Sequence, residues 1–146
     1  MAEERTLILV KPDGVASGHI GDVITRLEHR RFTITGLKVI QATREQLRAH
    51  YPDLVDKPFY PEIEGYMMSG PILAIIAEGT NVVDDFHKMA GLTRPEEAAC
   101  GTIRGDYGRA WPDGAIRNVV HSSDSPETAA NEIKIWFPEL SWTEAS

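Results

Sequence analysis

Cysteine is almost missing from this sequence. One residue, Cys100, stands among 146. It excludes an internal disulfide, and a single thiol cannot build a zinc site. That pattern fits a reducing compartment. The early apolar run Leu7-Ile8-Leu9-Val10 is bounded by Arg5 and Lys11, too short for a signal-peptide core or a membrane span. A cytoplasmic, soluble protein with no membrane partner is the expectation. Positive charge is also in deficit, with 15 Lys and Arg against 22 Asp and Glu and a net charge of -7. Binding driven by a nucleic-acid backbone is therefore disfavoured. An anionic ligand must instead find a local cationic cluster. Linkers, internal repeats and low-complexity segments are absent too, so residues 1–146 read as a single domain, with a loose tail expected over 141–146.

What is present is an alternation of strands and helices. Residues 6–10 (TLILV) form a continuous apolar run, the mark of a strand buried on both faces. Ile20, Val23, Ile24 and Leu27 recur at helical spacing, which predicts a helix over about 20–31. Phe32, Ile34, Leu37 and Val39 suggest a second strand whose alternation changes phase at Gly36, where a bulge is expected. Thr43-Arg-Glu-Gln46 has the capping-box pattern, and Pro61 opens another short helix. Ile72–Ala77 reads as a third strand. Asn81 opens a helix carrying Val82, Val83, Phe86, Met89 and Ala90, which Gly91 stops. Residues 92–115, rich in glycine and proline, read as a long structured loop, and such loops are usually functional. A short fourth strand is predicted at 116–120, and Ser125-Pro126 starts a last helix. Without the small helical insertion around 43–68, the order is βαββαβ. This is the ferredoxin-like α+β arrangement, a four-stranded antiparallel sheet with helices packed on it.

Two constellations carry chemistry. Lys11 follows the first strand, Arg104 lies between glycines with Arg109 nearby, and Arg117-Asn118 precede the last strand. Together these are the Arg forks and point charge that a polyphosphate needs. Gly14–Gly21 lacks the ending of a Walker loop, so helix entry and close packing account better for its glycines. Among five histidines, no pair has the spacing of a helical metal site. His29, His50 and His87 fall on charge-rich predicted helices and read as solvated. His121 ends a strand beside hydroxyls and a helix start, where a neutral imidazole can act as a nucleophile on phosphorus. Glu132 is placed to tie its other nitrogen. Spacing alone leaves a structural role for His121 open. Phe59 reads as a core anchor or as an exposed ring that stacks on a base, and the sequence leans to the core.

Lys11-Pro-Asp-Gly14, His50-Tyr51, Pro58-Phe59, Ser69-Gly-Pro71, Gly101-Thr-Ile-Arg-Gly-Asp106, Arg117-Asn118 and His121-Ser-Ser-Asp-Ser125 occur in one collinear order. In these pieces the chain resembles a nucleoside diphosphate kinase from about Arg5 to Phe137. The resemblance implies a ping-pong transfer of the terminal phosphoryl group from a nucleoside triphosphate to a diphosphate, through a phosphohistidine at His121. By the same resemblance Lys11 and Asn118 hold sugar and phosphate, and Tyr51 stands near the nucleophile. Arg104, Thr93 and His87 bind phosphates, Phe59 and Ile63 take the base, and Ser123 and Glu132 orient His121. The cofactor is Mg2+ carried on the nucleotide phosphates, with no protein metal ligands. A homo-oligomer built from dimers is implied, a hexamer ahead of a tetramer, with Pro95 and the 92–115 loop near the subunit contacts. The alternative is a catalytically weak nucleotide-binding or scaffolding member of the same fold. Three features depart from the family pattern. His87 replaces a phosphate-binding arginine, so either His87 binds phosphate weakly or Lys88 or Arg94 substitutes, and Arg94 is expected to restore the lost charge. Ser122 follows the catalytic histidine, where Gly or Ala is more usual. About four extra residues lie within 107–116, with Trp111 placed to cover the base site or a subunit contact.

Overall fold

The computed structural model describes residues 2–140; the expected loose tail lies outside the described residues. Four strands make one antiparallel sheet: β1 (Glu3–Val10), β2 (Thr33–Ile40), β3 (Ile72–Thr80) and β4 (Val120–Ser122). Their spatial order is β2-β3-β1-β4. The two central strands are covered on both faces, which is why both read as unbroken apolar runs. The helices are α1 (Pro12–Ala16), α2 (Ile20–His29), α3 (Arg44–His50), α4 (Tyr60–Met67), α5 (Val82–Ala90), α6 (Ile103–Tyr107) and α7 (Pro126–Trp136).

Period-two alternation divides β1 between two cores. Ile8 and Val10 pack with Val23 and Leu27 of α2 and with Val83 and Phe86 of α5. Leu7 and Leu9 pack on the other side with Leu47 of α3, Met67 of α4, and Ile133 and Trp136 of α7. The two main helices thus share one face, as the sequence pattern implies, and the insertion with the last helix covers the other. Local signals agree with this layout. Thr43 and Gln46 form the capping box of α3. The β2–β3 register passes from Ile34 opposite Ala77 to Gly36 opposite Ile76, which is the expected bulge. A Cβ at Gly36 would meet Ile76 Cδ1 at 2.9 Å and Phe137 Cε1 at 3.1 Å, so glycine lets these two side chains close over the bulge.

Two expectations are corrected. The last strand is not 116–120 but Val120–Ser122, and His121 lies inside it, opposite Leu9. Val119 sits in the left-handed region at φ 71°, its N–H donating to Asp13 Oδ2 (3.0 Å) and its carbonyl accepting from the Lys11 N–H (2.8 Å). That turn diverts the chain toward α1, so sheet pairing begins only at Val120. A β-branched residue in that region is strained, a cost found most often at functional sites. The 92–115 segment is also more regular than a loop. It contains a 3-10 turn at Pro95–Glu97 as well as α6, which Thr102 caps by accepting from the Gly105 N–H.

Candidate active site

His121 sits on an edge strand, with its neighbours Val120 and Ser122 directed toward the α2 and α5 side. Alternation therefore turns its ring toward α3 and α7. There Nε2 lies 2.9 Å from Glu132 Oε1. The Ser123 hydroxyl donates to the same oxygen at 2.7 Å and accepts from the Leu7 N–H at 3.1 Å. Glu132 thus favours the tautomer with hydrogen on Nε2, and leaves the Nδ1 lone pair free. Burial pulls the His121 pKa down to about 3, with Lys11 and Arg104 adding to the effect against Asp124. The ring is therefore neutral at any ordinary pH. Burial pushes the Glu132 carboxyl up, and His50 and the Ser123 hydrogen bond draw it back.

His50, expected in solvent, is buried in this cluster. It follows Leu47 by three residues on the apolar stripe of α3, and that spacing was the available signal. Its ring meets His121 edge-on at 4.4 Å between centroids. The Trp136 indole N–H donates to His50 Nδ1 at 3.0 Å, and Glu132 Oε2 stands 3.8 Å from the same nitrogen. Burial, then repulsion from His121, lowers its pKa to about 3 as well. Two histidines with no metal-site spacing in sequence are thus brought together by tertiary packing. Tyr51, the C-cap of α3, packs edge-on to His50. Burial pushes its hydroxyl up to about 12, so it remains a donor.

The cationic cluster is narrower than the sequence suggests. Lys11 Nζ donates to Asn118 Oδ1 at 2.8 Å, and Asn118 Nδ2 donates to the Thr93 carbonyl at 3.1 Å. Burial and then Arg104 pull the Lys11 pKa down to about 8, against the opposing effect of Asp13. Arg104 is buried and spends hydrogen bonds on three carbonyls, those of Asn118 (3.2 Å), Gly91 (2.8 Å) and Val120 (2.8 Å). It braces the turn that presents His121 while adding charge behind it. Arg109 and Arg117 do not join it: their guanidinium groups lie 4.1 and 4.9 Å from the centre of the Trp111 ring, and Arg117, in the wall of the outer chamber, is paired to Asp113 at 2.9 Å. His87 Nδ1 lies 3.0 Å from Ser122 Oγ, so two departures from the family pattern are partners. Asp13, not singled out in the sequence, also accepts from the Tyr66 hydroxyl.

These side chains line two adjoining chambers that share Tyr51 and Thr93. One, of about 650 Å³, holds His50, His87, Arg104, His121, Asp124 and Glu132. The other, of about 760 Å³, runs from Lys11 and Asn118 out to Phe59 and Ile63, with residues 113–117 opposite. Phe59 is 49% exposed, not a core anchor, and Gly14 packs against Val10 and Val119 with no room for a Cβ. The extra segment is a wall of the outer chamber. The result is a cleft with an apolar mouth and a cationic end beside an uncharged imidazole whose Nδ1 is free.

A family model for nucleoside diphosphate kinase matches residues 4–141. The nucleoside diphosphate kinase of Streptococcus uberis is 48% identical over 94% of this chain and 96% of its own length. That of Columba livia is 47% identical over 92% of this chain and 85% of its own. Among solved structures, the Halobacterium salinarum enzyme in complex with CDP superposes with a TM-score of 0.87 at 35% identity, covering 98% of this chain and 95% of that one. The apo enzyme of Encephalitozoon cuniculi gives 0.85 at 40% identity, covering 92% and 88%. The chain belongs to the nucleoside diphosphate kinase family.

Proposed function

We propose that His121 is the residue through which this kinase passes the terminal phosphoryl group from a nucleoside triphosphate to a nucleoside diphosphate. The base lies against Phe59 and Ile63, and the phosphates extend past Lys11, Thr93 and Asn118 toward Arg104 and His87. Nδ1 attacks the terminal phosphorus, its lone pair forming the P–N bond as the bond to the bridging oxygen breaks. The diphosphate departs with that electron pair. Glu132 accepts the hydrogen bond from Nε2 and stabilises the positive ring that forms. Lys11, Arg104 and Tyr51 offer charge and donors to the oxygens of the transferred group. A second diphosphate then takes the group by the reverse step.

Mg2+ fits this site as an ion carried by the nucleotide. The inner chamber holds Arg104 and three separate carboxylates, with Glu132 engaged by His121 and Ser123 and with Asp53 and Asp124 exposed at its rim, not an oxygen cage. An ion so carried would supply neutralisation of phosphate charge, and Asp124 is a carboxylate of this chamber that would hold its water shell. A homo-oligomer built from dimers, a hexamer ahead of a tetramer, belongs to the same reading; the edge of β2, where Leu37 and Val39 are 51% and 59% exposed, offers a surface for self-association without choosing the order. No described helix is long and apolar enough to cross a membrane, and a cytoplasmic location remains the reading from cysteine usage. Nothing in the cleft favours a scaffolding role, because nucleotide binding alone does not need an imidazole oriented through Ser123, Glu132 and Leu7.

The observation that carries the reading is the 2.9 Å contact from Nε2 to Glu132, which leaves Nδ1 as the free nitrogen. Labelling with γ-labelled ATP tests it. The expected product is an acid-labile, alkali-stable label that His121→Asn abolishes, together with a loss of turnover of at least about 10⁴-fold. Acid-stable label, or label retained in the variant, sinks the assignment.

A further inference from the structure

We propose that His50, His121 and Glu132 together bind a divalent transition cation of the zinc and cobalt class, and that this cation excludes the phosphoryl group from His121. One donor atom from each side chain lies within 4.8 Å of the other two. Two imidazoles and a carboxylate are a set that zinc accepts, at about 2.0–2.2 Å from each ligand. Glu132 already stands between the rings, with Oε1 on His121 and Oε2 facing His50. A small inward movement of the three groups closes a site. Both rings line the inner chamber, and the His121 side chain is 16% exposed, which gives an entry path.

Mg2+ does not fill this site, because it prefers oxygen ligands and stays with the phosphates. A cation that favours imidazole does not share that constraint. Coordination silences the nucleophile whichever nitrogen of His121 it uses. At Nδ1 it occupies the attacking lone pair. At Nε2 it moves the ring proton to Nδ1, which then has no lone pair to offer. His50 pays for binding with its bond to Trp136, since a metal on Nδ1 displaces the indole N–H, and a metal on Nε2 puts a proton where that N–H points.

The test uses the full chain carrying Cys100→Ser, which removes an exposed competing thiol, without nucleotide. Co2+ is titrated and its visible absorption recorded. The expected result is the intense absorption of low-coordinate Co2+ saturating at one equivalent and lost on adding Zn2+. His50→Gln is expected to weaken the affinity at least about tenfold, and prior phosphorylation of the protein to prevent binding. A weak six-coordinate spectrum, or an affinity untouched by His50→Gln, overturns the proposal. If that variant fails to fold, histidine NMR of the Cys100→Ser chain decides. Stoichiometric Zn2+ must shift the His50 and His121 ring signals, and shifts confined to His19, His29 and His87 overturn it equally. Exclusion of the phosphoryl group rests on the phosphohistidine reading. Metal binding is measured without turnover, so the two can fail separately.

Discussion

The two chambers of the cleft are built to different standards. Around His121 the working groups are held from several elements at once: Glu132 from α7, Ser123 from the end of β4, His50 from α3, and Arg104 from α6. At the mouth, Phe59 stands half in solvent at the start of α4, and the opposite wall is a segment where Arg109 and Arg117 both lie against the Trp111 ring. Phosphoryl transfer needs reacting atoms in register to a fraction of an ångström, whereas a base needs only an apolar face to lie on. On the proposed mechanism the braced end sets rate, and the open end sets affinity without choosing strongly among bases.

Glu132→Gln tests the braced end most severely among variants that keep the nucleophile. Glutamine keeps the shape and an acceptor oxygen but loses the charge that stabilises the positive ring. A fall in kcat of about 10²-fold is expected, with a Michaelis constant little changed. The measurement is steady-state transfer between ATP and a diphosphate. A loss appearing mainly in the Michaelis constant would mean that Glu132 supports binding and not the reacting ring.

Lys11 sharpens the same contrast through pH. Its pKa is pulled down to about 8 by burial and by Arg104, so the free enzyme loses this cation as pH rises through that value. The value of kcat/KM is expected to fall about tenfold per unit on the alkaline side. Lys11→Arg keeps its charge there, and its profile should stay flat to higher pH even if its plateau is lower. Neutral His121 and His50 imply no matching activity limb near pH 6.5. A profile identical in the variant assigns the limb to another group.

These contrasts bear on how much the chain declares in advance. The sheet was legible because β1 and β3 are apolar on both faces and the capping box at Thr43 is local chemistry. The last strand was expected four residues too early at its start and two too early at its end, since Val119 adopts a left-handed conformation held by long-range bonds to Lys11 and Asp13. His121, Glu132 and Lys11 stand out by residue type beside strand ends. His50 did not, because a histidine among charges on a short helix looks solvated until α7 packs Trp136 against it. Arg104 was recognised as important, but three buried carbonyls are its actual partners, and no spacing rule reveals backbone acceptors.

At the open end, Phe59→Ala removes the stacking face. Base stacking on an aromatic ring is worth about 1–3 kcal/mol, and a half-exposed ring should sit at the low end. The expected result is a rise of about five- to tenfold in the Michaelis constant, similar for purine and pyrimidine diphosphates, with kcat nearly unchanged. A large drop in kcat would show that the mouth helps align the phosphates, and the division between the chambers would fail.

Arg94→Ala is the smallest expected effect and the sharpest check on charge replacement. The sequence suggests that Arg94 restores the charge lost where His87 stands. In the structure Arg94 lines neither chamber, and its guanidinium lies 3.9 Å from Glu96 with the side chain 53% exposed. An exposed pair of that length contributes little. His87 does line the inner chamber and is bonded to Ser122 beside the nucleophile. Removing Arg94 should change the Michaelis constants for ATP and diphosphates by less than about twofold, which is under 0.5 kcal/mol, while His87→Ala raises them more. If the order is reversed, Arg94 swings in when nucleotide binds, and the phosphate end owes part of its charge to the 92–115 segment instead of to the braced cluster.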